Sequence, residues 1–184
     1  MALTPAMTGG ITLMVDPSRT RLALLGVAAL AVSAFGYRTI ARPMPFVIYN
    51  ASASAPLGFY RRVDGPIRRG DFVLARLPET VARFAAARDY LPLSVPVVKR
   101  VAALAGDITC AESGTILING QVVTEALTAD RQGRALPSWQ GCRTLAPDDV
   151  FLLMKDIPAS FDGRYFGPIQ TSAIMGRLVP LWTW

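Results

Sequence analysis

The chain reads as a mainly β domain with one small inserted helix, preceded by a single N-terminal transmembrane helix. Three observations predict this. From residue 46 onward, short runs of aliphatic, β-branched and aromatic residues alternate with Gly, Pro, Asn and Asp turn signals. Within that region Thr80 to Tyr90 (TVARFAAARDY) is alanine-rich and helical in pattern, after the start signal Pro78-Glu79. Upstream, Leu22 to Tyr37 (LALLGVAALAVSAFGY) carries no charge at all.

The elements follow in order. Residues 1–21 form an N-terminal tail and residues 22–37 the membrane anchor, flanked by Arg19, Arg21 and Arg38. As a helix this run spans about 24 Å, short of a ~30 Å hydrocarbon core but workable with thinning and snorkelling arginines. Val32-Ser33-Ala34 offers the rival reading of a cleavable signal peptide, which the length of the run disfavours. Residues 38–45 are a short joint, and 46–184 the folded domain. Phe46 to Tyr49 reads as a strand, Asn50 to Gly58 as a loop of small residues, and Phe59 to Val63 as a second strand ending at Asp64-Gly65-Pro66. Arg69-Gly70-Asp71 turns into the strand Phe72 to Ala75. After the helix comes a strand from Val95 to Leu104, closed by Ala105-Gly106-Asp107. Thr115 to Thr124 is a hairpin around Asn119-Gly120. Residues 126–141 read as a loop carrying Trp139, Val150 to Met154 as a buried strand, and Ile174 to Trp184 as a last strand with an apolar tail. This makes about eight strands, with no internal repeat.

A length of 184 residues supports one domain with a real core plus an appendage. The net charge of +6 invites nucleic acid, but the arginines are scattered and form no basic helix or arm, so that partner is excluded. Cys110 and Cys142 both lie downstream of the apolar run. In an exported domain they read as one disulfide, with two buried thiols as the alternative. Two cysteines without a histidine do not make a metal site, and no cofactor motif is present.

The chain has no histidine, and of its nineteen Lys and Arg only Lys99 and Lys155 are lysines. Activation of a serine by imidazole is therefore excluded, and a lysine is the remaining base near neutral pH. Lys99 stands in an apolar β run, where burial would lower a lysine pKa; the alternative is a lysine that snorkels to solvent at a strand edge. Ser52 and Ser54, two apart on a small-residue loop, offer a nucleophile and a neighbouring hydroxyl donor. Asp162 and Arg164 can pair across a tight turn after Ser160.

In order, these residues lie in four boxes. The first is Asn50-Ala-Ser52-Ala-Ser54-Ala-Pro56-Leu-Gly58-Phe-Tyr60, of the form S-x-P-x-G-x-Y. Gly70-Asp71-Phe72-Val73-Leu74 is the second. The third is Lys99-Arg100-Val101 through Gly106-Asp107, and the fourth Ser160-Phe161-Asp162-Gly163-Arg164-Tyr165-Phe166-Gly167. From about Tyr49 to Trp184 the chain thereby resembles the type I signal peptidases, most of all those of conjugative transfer, the TraF type. Pro56 two residues after Ser54 is the TraF spacing; general leader peptidases place it three after. Gly163 departs from the family, which has serine between the aspartate and the arginine.

The resemblance implies a signal-peptidase-like β fold and a membrane-anchored serine endopeptidase without metal or cofactor. Position by position, it makes Ser54 the nucleophile and Lys99 the general base. Ser52 joins the Ser54 N–H in the oxyanion hole, Ser160 orients the lysine amine, and Asp162 supports the site by fixing Arg164 or Arg100. Lys99 has to be neutral, through burial against groups such as Val97, Val101 and Phe166. Each oxyanion donor of this kind is worth ~3 kcal/mol. The implied partners are the inner membrane and an exported pilin precursor, or another signal-peptide-bearing protein, cut through an acyl-enzyme that water or the substrate's own amine resolves, the latter circularising it. The implied location is the bacterial inner membrane, single-pass, with residues 46–184 in the periplasm. The alternatives are a general leader peptidase and a non-catalytic periplasmic subunit of a transfer apparatus. Residues 80–90 and the Trp139 loop, placed between boxes, are candidates for shaping substrate choice.

Overall fold

The computed structural model describes residues 17–41 and 45–184. The chain divides into two units, Met1–Met44 and Pro45–Trp184. In the first, helix α1 covers Pro17–Ala41, longer at both ends than the uncharged run from which it was predicted. The extension takes in the flanking arginines, which favour helix well enough to give it no reason to stop at Leu22 or Tyr37. Leu22, Leu24, Leu25, Val27, Leu30, Val32 and Phe35 are all exposed, and at 3.6 residues per turn they point in every direction round the axis. Among the described residues no helix is long and apolar enough to cross a membrane. Most of the predicted tail (1–16) and part of the joint (42–44) lie outside the described residues.

The second unit is built on two antiparallel sheets. β1 (Val47–Asn50), β2 (Gly58–Val63) and β3 (Phe72–Ala75) come first, then helix α2 (Glu79–Ala87) and β4 (Val97–Ala103). β5 (Ile108–Glu112), β6 (Thr115–Ile118), β7 (Gln121–Glu125) and β8 (Gly141–Thr144) form the smaller sheet, in the order β7-β6-β5-β8. β9 (Asp149–Leu152), a one-turn helix α3 (Gly163–Phe166), β10 (Ile169–Gln170), the 3₁₀ turn Thr171–Ala173 and β11 (Ile174–Thr183) complete the chain. The larger sheet runs β1-β2-β11-β3-β4-β9-β10. Its ten-residue β11 pairs with β2 on one side and β3 on the other, with a register shift on each side.

The described residues hold eleven strands, where the pattern of apolar runs predicted about eight. The three additional strands are β5, β8 and β10, and β8 shows a physical reason why a strand escapes such a reading. β8 (GCRT) is exposed along its length and has no apolar alternation to read. It is a strand because it pairs with β5, where Cys110 stands directly opposite Cys142 and the two form a disulfide. α2 stops short of the predicted Tyr90, since Asp89 takes a positive φ of 58°. The Asn119-Gly120 hairpin forms as read, with φ of 51° and 76°, the left-handed pair a tight two-residue turn requires.

The core has two parts. Val73, Ala75, Val101, Val150, Leu152 and Ile169 form one, with Val97 and Phe166 packed against it. Ala103, Ala111, Ile116, Leu145, Phe151 and Leu153 form the other, joined by Trp139. Strand periodicity puts Val97, Lys99 and Val101 on one face of β4, and Val73 of β3 stands opposite Lys99. A lysine therefore occupies a position in a row of buried aliphatic residues.

Candidate active site

The loop from β1 to β2 carries the two serines, and Asn50 shapes it. Its side-chain amide donates to the carbonyls of Ser52 (2.9 Å), Ala55 (3.1 Å) and Pro56 (2.9 Å). Its carbonyl oxygen accepts from the Ser52 N–H at 3.2 Å. The Tyr60 hydroxyl donates to the Pro56 carbonyl at 2.7 Å from the neighbouring strand. Gly58 starts that strand where β11 crosses; with φ of 134°, a Cβ there would lie 2.1 Å from the Trp182 carbonyl oxygen. The box residues Asn50, Pro56, Gly58 and Tyr60 are thus the frame of a loop that presents Ser52 exposed and Ser54 half-buried.

Behind Ser54 lies Lys99, with a relative exposure of 1%. Its Nζ is 2.8 Å from Ser54 Oγ and 2.9 Å from Ser160 Oγ, with the Ser54 carbonyl oxygen at 3.4 Å. Burial pulls its pKa from 10.5 down to about 8; the nearby Asp162 carboxylate works against that and the Arg164 guanidinium adds to it. The desolvation predicted from an apolar strand is present, with Val97 and Phe166 packed on the adjoining core. On the open side, the Ser54 N–H donates to Ser52 Oγ at 3.3 Å, and Ser52 Oγ lies 3.0 Å from Ser54 Oγ.

Ser160 is held from below by an ion pair. Arg164 donates to both oxygens of Asp162, Nε to Oδ1 at 2.9 Å and Nη2 to Oδ2 at 2.9 Å, with both side chains fully buried. The same guanidinium donates to the carbonyls of Met154 (3.0 Å) and Ile157 (2.7 Å), and the Asp162 carboxylate accepts the Met154 N–H at 3.0 Å. The pair therefore fastens the loop between β9 and Ser160 at three backbone points. Of the two arginines weighed as partner of Asp162, the structure selects Arg164. Arg100 points elsewhere, over the ring of Phe72 at 4.2 Å.

The remaining box residues serve turns. Asp71 accepts the Arg68 N–H at 2.8 Å, and Asp107 accepts from the Leu104 N–H and the Asn119 amide, both at 2.9 Å. Gly163 has its own account. A Cβ there would fall 2.7 Å from both the Leu152 carbonyl oxygen and the Phe151 ring, and its carbonyl accepts the Trp139 indole N–H at 2.9 Å. Its departure from serine is a packing requirement of this chain. The sequence reading also missed Asn50 as the organiser of the loop; its place at the head of the first box was the available signal. Among the described residues, Cys110, Glu112 and Cys142 form the one group of three potential metal ligands, but both sulfurs are committed to the disulfide.

This chain belongs to the signal peptidase, peptidase S26, family, whose model matches residues 19–183. Membership makes it a serine peptidase of the signal-peptidase kind. It is also similar to proteins of plasmid transfer. A plasmid transfer protein TraF of Escherichia coli is 34% identical over 171 residues, covering 88% of this chain and 93% of that one. The conjugal transfer protein TraF of Agrobacterium fabrum is 31% identical over 185 residues, covering 90% and 97%. Among solved structures, a signal peptidase I of Enterococcus faecalis V583 aligns at 19% identity with a TM-score of 0.38, over 62% of this chain and 98% of that one.

Proposed function

We propose that the protein is a membrane-anchored endopeptidase that cuts an exported pilin precursor with a Ser54/Lys99 dyad. The observation that carries this reading is the buried amine of Lys99 at 2.8 Å from Ser54 Oγ and 2.9 Å from Ser160 Oγ. A neutral amine has two hydrogens and one lone pair. With its hydrogens directed to Ser160 Oγ and the Ser54 carbonyl, the lone pair accepts the Ser54 proton as Oγ attacks the scissile carbonyl. The oxyanion takes the place of the contact between the Ser54 N–H and Ser52 Oγ, so that both donors turn onto it. Protonated Lys99 then returns its proton to the leaving amine, and the acyl group remains on Ser54. Water, or the amine of the substrate itself, resolves the ester; the second route releases a ring. Keeping this hydrogen-bonded set intact speaks against a subunit that has lost catalysis.

The substrate lies extended, adding a strand to a sheet edge, with its small side chains in shallow pockets. Two surfaces support a place at the membrane. No described helix is long and apolar enough to cross a membrane, but the stretch of α1 from Leu22 to Phe35 exposes apolar side chains on every side, which supports contact with lipid. In the second unit Tyr49, Phe59 and Trp182 line up across β1, β2 and β11, with Trp184 beside them, all exposed. Aromatic residues of this kind favour a membrane–water interface. The peptidase unit stands in the periplasm, where a disulfide persists.

Co-expression with a pilin precursor, read by mass spectrometry, tests the reading. Wild type yields product while Ser54→Ala and Lys99→Ala do not; a product one water lighter than the linear peptide marks circularisation. Equal processing by all three overturns the dyad. Cleavage rises with pH through about 8, as Lys99 loses its proton.

A further inference from the structure

Phe161 stands between two residues of the site and faces away from both. Ser160 and Asp162 are fully buried, and the backbone at Asp162 is extended, so the side chains alternate. The Phe161 ring turns to the other side of the segment, where α2 lies. There it stacks on Phe84 at 5.7 Å and 15°, and on Tyr165 at 5.6 Å and 11°. Tyr90, just past the end of α2, adds a tilted contact at 5.5 Å. The outer side of this column is itself tied down. The Tyr90 hydroxyl donates to Asp130, which also accepts from Arg134 Nε at 2.7 Å. Arg88 donates to the Ala135 carbonyl at 2.7 Å while lying over the Phe84 ring at 4.1 Å. The Leu127 N–H donates to the Tyr165 hydroxyl at 3.2 Å. Helix, 127–135 segment and the 160–166 segment close a ring of contacts around Phe161.

We propose that Phe161 is a positioning residue: wedged between Phe84 and Tyr165, it presses the segment carrying Ser160 against Lys99. The role rests on the Ser/Lys reading above and gives the inserted helix a task besides substrate choice. Ser160 Oγ is the buried partner of the Lys99 amine, beside the more open contact to Ser54. When the segment slackens, water reaches that amine and its desolvation falls. The charged groups acting on Lys99 are Asp162 from the same segment and Arg164 from α3. β3 presents Val73 opposite it and the nucleophile loop presents Ser54.

The chain's two lysines allow a direct test. Full-length protein in detergent micelles, labelled with ¹⁵N at the lysine side-chain nitrogen, gives two signals, and Lys155→Arg assigns them. The expected result is a Lys99 titration midpoint raised by about half a unit or more in Phe161→Ala and in Phe84→Ala, towards the ordinary lysine value. Phe161→Tyr keeps the wild-type midpoint. Cleavage lost by the two alanine variants near pH 7 returns on raising the pH. Phe84 lies outside the site, so Phe84→Ala decides the matter should Phe161→Ala not fold. Variants that unfold at a lower temperature with the Lys99 midpoint unmoved would overturn the proposal. The titration needs no substrate, so it fails separately from the dyad, which stands or falls on the cleavage by Lys99→Ala.

Discussion

Asp162 and Arg164 act on Lys99 with opposite signs, and that makes the aspartate informative at the scale of one residue. Its negative charge favours the protonated amine, whereas Arg164 favours the neutral one. Replacing Asp162 by Asn removes the first influence and leaves the second, so the Lys99 pKa falls below about 8. With Lys99 as the proposed base, its amine is then neutral at lower pH, and the pH–cleavage profile of Asp162→Asn shifts to the acid side even as its plateau drops. The same substitution strands a fully buried guanidinium, at a cost of roughly 3–5 kcal/mol in folding stability. A pH profile together with urea unfolding checks both halves; an alkaline shift would contradict the assignment of charges. Residue identities disclosed much of this site, because a chain without histidine leaves few candidates for a base. They did not disclose which arginine serves Asp162, since Arg100 and Arg164 stand in equally suggestive boxes.

At the scale of elements, the turn from Ser160 into α3 shows how a family pattern yields to local packing. Serine at position 163 would place its Cβ 2.7 Å from a backbone carbonyl as well as from the Phe151 ring. A ring can move aside, but the carbonyl belongs to Leu152 at the end of β9, in the middle of the core. Gly163→Ser therefore lowers stability by about 1–3 kcal/mol, the usual cost of overpacking. Adding Phe151→Leu recovers only the share due to the ring. Urea midpoints of the single and double variants measure this, and a Gly163→Ser protein as stable as wild type would refute it. The strands that alternation or a turn signal marks, such as β3 and the β6–β7 hairpin, were legible in the sequence. β8 and α3 were not, because neither has a pattern of its own. The first exists through pairing and a disulfide, the second through the Asp162 side chain capping a single turn.

For the whole molecule, the proposed periplasmic location makes a prediction of its own. Spheroplasts expressing the protein, treated with protease from outside, lose the unit from Pro45 to Trp184. Cys110 and Cys142, taken from the native envelope, stay unreactive towards thiol reagents until reduced. A protected unit with free thiols would place it in the cytoplasm and overturn the proposed topology.

Composition and local pattern alone determined the inventory of chemistry, the order of the four boxes, the hairpin, and which two cysteines were free to pair. These are short-range properties, carried by residue identity and by neighbours a few positions away. Tertiary structure decided the rest. It brings Ser54 and Ser160, 45 and 61 positions from Lys99, within 3 Å of one amine. It buries that amine deeply enough to lower its pKa, and it sets an aromatic column behind Ser160. Desolvation and packing depend on what the folded chain places around a group, and no local stretch of sequence holds that information.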